Sequence, residues 1–269
     1  MNQAYIDPDS IKNNGNQPHI LLETKRLCKT YGSSGVTYPA LSDFDLTIYA
    51  GEFCAIMGPS GSGKTTLLNL MATIDRPSSG TVVMEGTDIA SLKSAALSDF
   101  RREKLGFIFQ DFNLLDTLSV EENIALPLSL GGMKPAEQEK RAQEAARTLG
   151  ISDVLDKRPY ELSGGQKQRC AAARAIAGKP SLILADEPTG NLDSRSAREL
   201  LTSLSTLNQN QGTTILMVTH DAFSASYSSR VVFIKDGRRY SELRKGSESG
   251  EFFDRILDTL KALEGGSHA

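Results

Sequence analysis

The chain has 269 residues, with 30 Lys and Arg against 33 Asp and Glu and a formal net charge of −3. A composition of 39% hydrophobic and 23% charged residues is that of a folded globular protein, and the near-neutral balance gives no electrostatic case for nucleic acid as a main partner. No apolar run approaches the roughly 18–20 residues of a membrane helix, and Cys28, Cys54 and Cys170 form no CxxC pair, so a disulfide framework or zinc site has no support and the three thiols are expected to be buried in a reducing compartment.

In chain order, residues 1–18 are polar, carry no signal-peptide core and are expected to be a mobile tail. Four short apolar runs follow, each ending on a chemically useful residue. Phe53–Met57 (FCAIM) runs into Gly58, and residues 105–109 (LGFIF) run into Gln110. Residues 182–185 (LILA) run into Asp186 and Glu187, and residues 214–219 (TILMVT) run into His220. Such runs suit strands buried on both faces of a parallel sheet. In open α/β sheets ligands lie beyond the carboxyl ends of the strands, so four runs would deliver site residues to one edge. The stretch from about 112 to 165 reads as helical, with Pro135 in a first turn and Gly150 at an end, and predicts a helical subdomain inserted in the α/β core. Residues 247–269 begin at a Ser/Gly-rich joint (GSESG) and continue as an amphipathic helix. Its stripe of Phe252, Phe253, Ile256, Leu257, Leu260 and Leu263 is expected to pack on its own domain, before a frayed GGSHA end.

Gly58-Pro59-Ser60-Gly61-Ser62-Gly63-Lys64-Thr65 matches G-x-x-x-x-G-K-[ST]. The glycines let backbone N–H groups curl around phosphate, Lys64 brings a cation to the β- and γ-phosphates, and Thr65 offers a hydroxyl to Mg²⁺. A strand before the motif and an apolar helix after it argue against an ordinary Gly/Ser turn. Asp186 suits the Mg²⁺ shell and Glu187 suits a general base that polarises water. Leu162-Ser163-Gly164-Gly165-Gln166 precedes a helical run, with Ser163 as its N-cap and glycines that permit close backbone approach.

Together these motifs resemble the nucleotide-binding subunits of ABC transporters over roughly residues 20–245. LSGGQ is that family's signature. The resemblance implies an α/β fold: a P-loop NTPase (RecA-like) core with an inserted α-helical subdomain and a small antiparallel β subdomain, spanning residues 19–246. It implies ATP and Mg²⁺ as cofactors, with Lys64, Gln110, Glu187 and His220 catalytic and Thr65, Gln110 and Asp186 at the metal. Nucleotide contacts would come from Tyr31 (with Tyr38 a nearby competitor for the adenine-stacking role), from Gly58 through Thr66, from Gln110, from Ser163 through Gln166, and from Asp193 of the Asn191-Leu192-Asp193 segment. His19 and His268 are assigned no role.

The family further implies a head-to-tail dimer in which Ser163 and Gly165 act across the interface on the partner's ATP. GPSGSGKTTLLNLMATIDRPSSG, FIFQDFNLLDTLSVEENIALPL and LADEPTGNLDS resemble the lipoprotein-release and macrolide-export branch. ATIDRPSSG, DFNLLDTLSVEENI and the ending VTHDAFSASYSSRVVFIKDGRRYSELRKG resemble the bacitracin-resistance ATPases within it. That likeness implies an extracellular-loop permease, a sensor histidine kinase reached through it, a peripheral place on the cytoplasmic face of the membrane, and cell-wall-directed peptide antibiotics as cargo. The alternatives are a lipoprotein-release, macrolide-export or cell-division ATPase, a soluble ABC ATPase of translation or repair, and a module that binds ATP without hydrolysing it.

Overall fold

The computed structural model describes residues 19–33, 36–246 and 249–265. The N-terminal tail, residues 266–269 of the GGSHA end with His268, and Ser247 and Glu248 of the Ser/Gly joint lie outside the described residues. In chain order the elements begin with β1 (Ile20–Ser33), β2 (Val36–Tyr49), β3 (Phe53–Met57), α1 (Lys64–Met71), β4 (Ser79–Met84), β5 (Thr87–Asp88) and α2 (Ser94–Lys104). Next come β6 (Leu105–Ile108), α3 (Val120–Leu130), α4 (Pro135–Thr148), α5 (Gly164–Ala177), β7 (Leu182–Asp186) and α6 (Ser194–Gln211). The chain closes with β8 (Thr214–Val218), α7 (Ala222–Ala225), β9 (Arg230–Lys235), β10 (Arg238–Arg244) and α8 (Ser249–Gly265). It divides into two compact units, residues 1–97 with 214–269, and residues 98–213.

The first unit holds a parallel set and an antiparallel set of strands. β3 lies between β8 and β9, parallel to both, and β10 adds antiparallel to β9. Every residue of β3 and β8 is buried, which is why both read as unbroken apolar runs rather than alternating ones. The antiparallel sheet has the order β2-β1-β4-β5. On β2 the period is two: Phe44, Leu46 and Ile48 are buried, while Asp45 and Thr47 between them are less so. One buried ion pair ties the unit together. Arg230 of β9 donates to both oxygens of Glu52, at 2.5 and 2.9 Å, and to the Thr47 carbonyl at 2.6 Å. With Arg230 only 4% exposed, this pairing keeps its guanidinium charged against burial, and its pKa is held above the ordinary value. On α8 the predicted stripe is buried at Phe252, Ile256 and Leu263, with Phe253, Leu257 and Leu260 half-exposed. The helix packs within its own unit, against α7 and β10, and each of the three buried side chains contributes roughly 1.5–3 kcal/mol.

In the second unit β6 and β7 pair in parallel, Leu105 beside Leu182 through Ile108 beside Ala185. The helical stretch contains α3 and α4. Ser119 caps α3 through a reciprocal box with Glu122. Pro135 stands in the first turn of α4, and beyond the capping Leu149 the Gly150 amide bonds the Arg147 carbonyl. Of the cysteines, Cys54 and Cys170 are buried and Cys28 is not. Cys28 sits at an irregularity in the β1–β4 register, where its sulfur accepts from the Asp43 amide at 3.2 Å and remains half-exposed. Among the described residues no helix is long and apolar enough to cross a membrane.

Candidate active site

Gly58–Gly63 join the buried end of β3 to α1. A Cβ on Gly58 would lie 2.1 Å from the Ile234 carbonyl oxygen, so only glycine lets the loop leave the strand this close to β9. Gly63 has φ 102, and a Cβ there would meet the Ala40 carbonyl at 2.5 Å. The loop is pinned by its own backbone, with the Gly237 amide donating to the Ser62 carbonyl at 3.0 Å. Lys64 turns back across the loop and donates to the Gly58 and Pro59 carbonyls, both at 2.9 Å. The Ser62 hydroxyl is buried with no hydrogen-bond partner among the described residues. α1 starts without a side-chain cap and with no acidic residue in its first turn, so no side chain of the N-cap residue covers its positive end. A lysine, uncapped amides and a buried hydroxyl in one loop fit an anion of phosphate type. Ser60 and Thr65 are exposed, and Pro59 and Thr66 half-buried.

Two further candidates belong to this unit. Tyr31 and Tyr38 are cross-strand neighbours on β1 and β2, their ring centroids 5.8 Å apart. Tyr38 is 60% exposed, whereas the Tyr31 hydroxyl donates to Asp75 Oδ2 at 2.7 Å. Burial, followed by the bond to Asp75, raises the Tyr31 phenol above its ordinary pKa. His220 follows the last residues of the β8 run and is exposed. Its neighbour Asp221 caps α7, accepting from the Phe223 and Ser224 amides at 3.1 and 2.9 Å.

The other candidates belong to the second unit. Gln110 leaves the end of β6 and is exposed, and Asp186 and Glu187, at the end of β7, are half-buried. Glu187 has φ 45, a left-handed backbone at a non-glycine residue of the kind that concentrates at functional sites. Asn191 bridges the two strand ends, donating to the Gln110 carbonyl and to Asp111 Oδ1, both at 3.2 Å. Ser163 caps α5: its hydroxyl accepts from the Gln166 amide at 3.2 Å, while Gln166 Oε1 accepts from the Ser163 amide at 3.0 Å. That box uses the hydroxyl of Ser163 as an acceptor and leaves its proton for another oxygen. Gly164 is exposed, and Gly165 abuts α6, where a Cβ would come 2.4 Å from Ser196 Oγ. Asp193 caps α6, accepting from the Arg195 and Ser196 amides at 3.0 Å and from the Ser196 hydroxyl at 2.8 Å. The bond from the Ser196 amide leads the causes that hold its carboxyl below the usual range.

Motif reading missed Gln168. It is fully buried and donates to the Phe109 carbonyl at 2.9 Å and the Pro188 carbonyl at 2.7 Å. One side chain thus fixes the residue before Gln110 and the residue after Glu187. The available signal was a polar residue among Gly165, Ala172 and Ala175 on the buried face of α5.

The family model described as ABC transporter matches residues 41–190. The ABC transporter ATP-binding protein YvcR of Bacillus subtilis (strain 168) is 56% identical over 250 residues, covering 92% of this chain and 96% of its own. The bacitracin export ATP-binding protein BceA of Halalkalibacterium halodurans is 50% identical over 246 residues, 91% of this chain and 97% of its own. Among solved structures, the dimeric ATP-binding cassette MJ0796, in a post-hydrolysis state with ADP and phosphate, superposes with a TM-score of 0.78 at 39% identity, over 84% of this chain and all of that one. A phosphate-fitting loop, a capped LSGGQ helix and this breadth of likeness make the chain a member of the ABC transporter family, an ATP-hydrolysing subunit built on the P-loop fold.

Proposed function

We propose that this ATPase works as a homodimer on the cytoplasmic face of the cell membrane and powers an extracellular-loop permease that confers resistance to bacitracin-like, cell-wall-directed peptides. The 50% identity to a bacitracin export ATP-binding protein over nearly the whole of both chains carries the cargo reading. A sensor histidine kinase reached through the permease belongs to the same proposal.

For the chemistry, Lys64 and the backbone N–H groups of Gly58 and of Ser60 through Thr66 hold the triphosphate, with Pro59, which has no N–H, shaping the loop between them, and Tyr31 stacks on adenine. Thr65, Gln110 and Asp186 supply oxygen donors, the hard ligands that Mg²⁺ prefers. Bound there, the ion would neutralise charge shared by the β- and γ-phosphates. Glu187 takes the proton of the attacking water, and His220 donates to the γ-phosphate. Ser163 through Gln166 and Asp193 act on the nucleotide of the second copy, the serine through the proton that its capping box leaves available.

Purifying the subunit from native membranes in mild detergent tests the assignment. A co-purifying permease with a large extracellular domain, and ATPase activity that rises with added bacitracin, is the expected result. A permease bound to lipoprotein machinery, or turnover indifferent to peptide, would overturn the cargo while leaving the ATPase chemistry in place.

A further inference from the structure

Lys29 and Tyr31, two residues apart on β1, both reach one carboxylate. Lys29 Nζ donates to Asp75 Oδ1 at 2.6 Å, and the Tyr31 hydroxyl donates to Asp75 Oδ2 at 2.7 Å. The lysine also donates to the Arg76 carbonyl at 2.8 Å and stands 4.8 Å from the centre of the Tyr31 ring. Asp75 is itself anchored to α1, since its amide and that of Ile74 bond the Asn69 carbonyl at 3.2 and 3.0 Å. α1 is the helix whose first turn carries the phosphate loop. Its far end therefore holds, through one carboxylate, the aromatic side chain of Tyr31, which lies 44 residues earlier in the chain.

An exposed tyrosine on a hairpin keeps its side-chain torsions free, and a base that stacks on it must order them. A ring already tied at its hydroxyl spends that freedom on folding. Stacking alone does not require the phenol to have a partner, and Tyr38, the cross-strand neighbour, has its ring 60% exposed.

We propose that Asp75 and Lys29 are positioning residues for the adenine base: they lock the Tyr31 ring to α1, and so fix the base platform relative to the phosphate loop on the same helix. The proposal rests on the reading of Tyr31 as the adenine-stacking residue. Lys29 on β1 and Asp75 beyond the far end of α1 both lie outside the phosphate loop, so their loss should act on affinity for the base and not on the chemical step.

The test uses the full chain and two probes, ATP and inorganic tripolyphosphate, with affinities measured by calorimetry and turnover as kcat and KM. Asp75→Ala should weaken ATP about three- to tenfold, the scale of reordering one side chain. It should raise KM without lowering kcat at saturating ATP, and leave tripolyphosphate binding unchanged. Asp75→Asn, which still accepts from the phenol, should recover part of the loss. In a Tyr31→Ala background Asp75→Ala should add nothing. Equal weakening of ATP and tripolyphosphate, an undiminished effect in the Tyr31→Ala background, or no effect of Asp75→Ala where Tyr31→Ala weakens ATP would each overturn the positioning role. Should Tyr31→Ala leave ATP affinity unchanged, the base-stacking reading falls first and the proposal with it.

Discussion

Glu187 combines a half-buried carboxylate with a left-handed backbone, held between a strand end and a proline. Replacing it with Gln keeps the shape and the backbone demand but removes the base. Glu187→Gln should lower ATP turnover by about 10²-fold or more, the usual scale of general-base catalysis, while ATP binding persists. Gel filtration with ATP should then show a long-lived dimer, and unchanged phosphate release would sink the role assigned to this residue. At this scale the motif residues were legible because each motif is contiguous and its chemistry needs particular side chains at fixed spacing. Gln168, Lys29 and Asp75 were not, since their partners lie far away in sequence: 59 residues for Gln168 and Phe109, and 46 for Lys29 and Asp75. Only the folded chain shows that Tyr31, and not Tyr38, is the tyrosine held by Asp75.

Among elements, the buried strands were the most readable. β3, β6, β7 and β8 carry short, largely apolar runs because most of their residues are buried, all of them on β3 and β8. The long antiparallel pair β1 and β2 was expected only through the family resemblance. Its alternation at Phe44, Leu46 and Ile48 is present but gives way to exposed residues toward Val36. Helix α5 separates a structural use of the signature from a functional one. Ser163→Ala removes the acceptor for the Gln166 amide and should cost about 1 kcal/mol, a fall of about 2–4 °C in melting temperature. Ser163→Asp caps equally well yet places a carboxylate where a phosphate is expected. It should melt close to the native protein while losing ATP-dependent dimerisation in light scattering. A Ser163→Asp variant that dimerises normally with ATP would reduce the serine to a cap.

For the whole molecule, the two units differ in how the chain supplies them. Residues 98–213 form the second unit from one continuous segment, whereas the first draws on residues 1–97 and 214–269. β3, which presents the phosphate loop, has β8 and β9 as its neighbours, and these begin at Thr214 and Arg230. Synthesis therefore leaves β3 without either flank until most of the polypeptide has emerged from the ribosome, although the strand itself is complete by residue 57. Long-range parallel pairing of this kind forms late because the intervening chain must be closed first. A nascent chain arrested at residue 213 should fail to retain ATP in a filter-binding assay, while release of the finished chain restores it. Retention of ATP should therefore begin only once β8 and β9 flank β3, by which point His220, the residue two beyond the end of β8, has also been made.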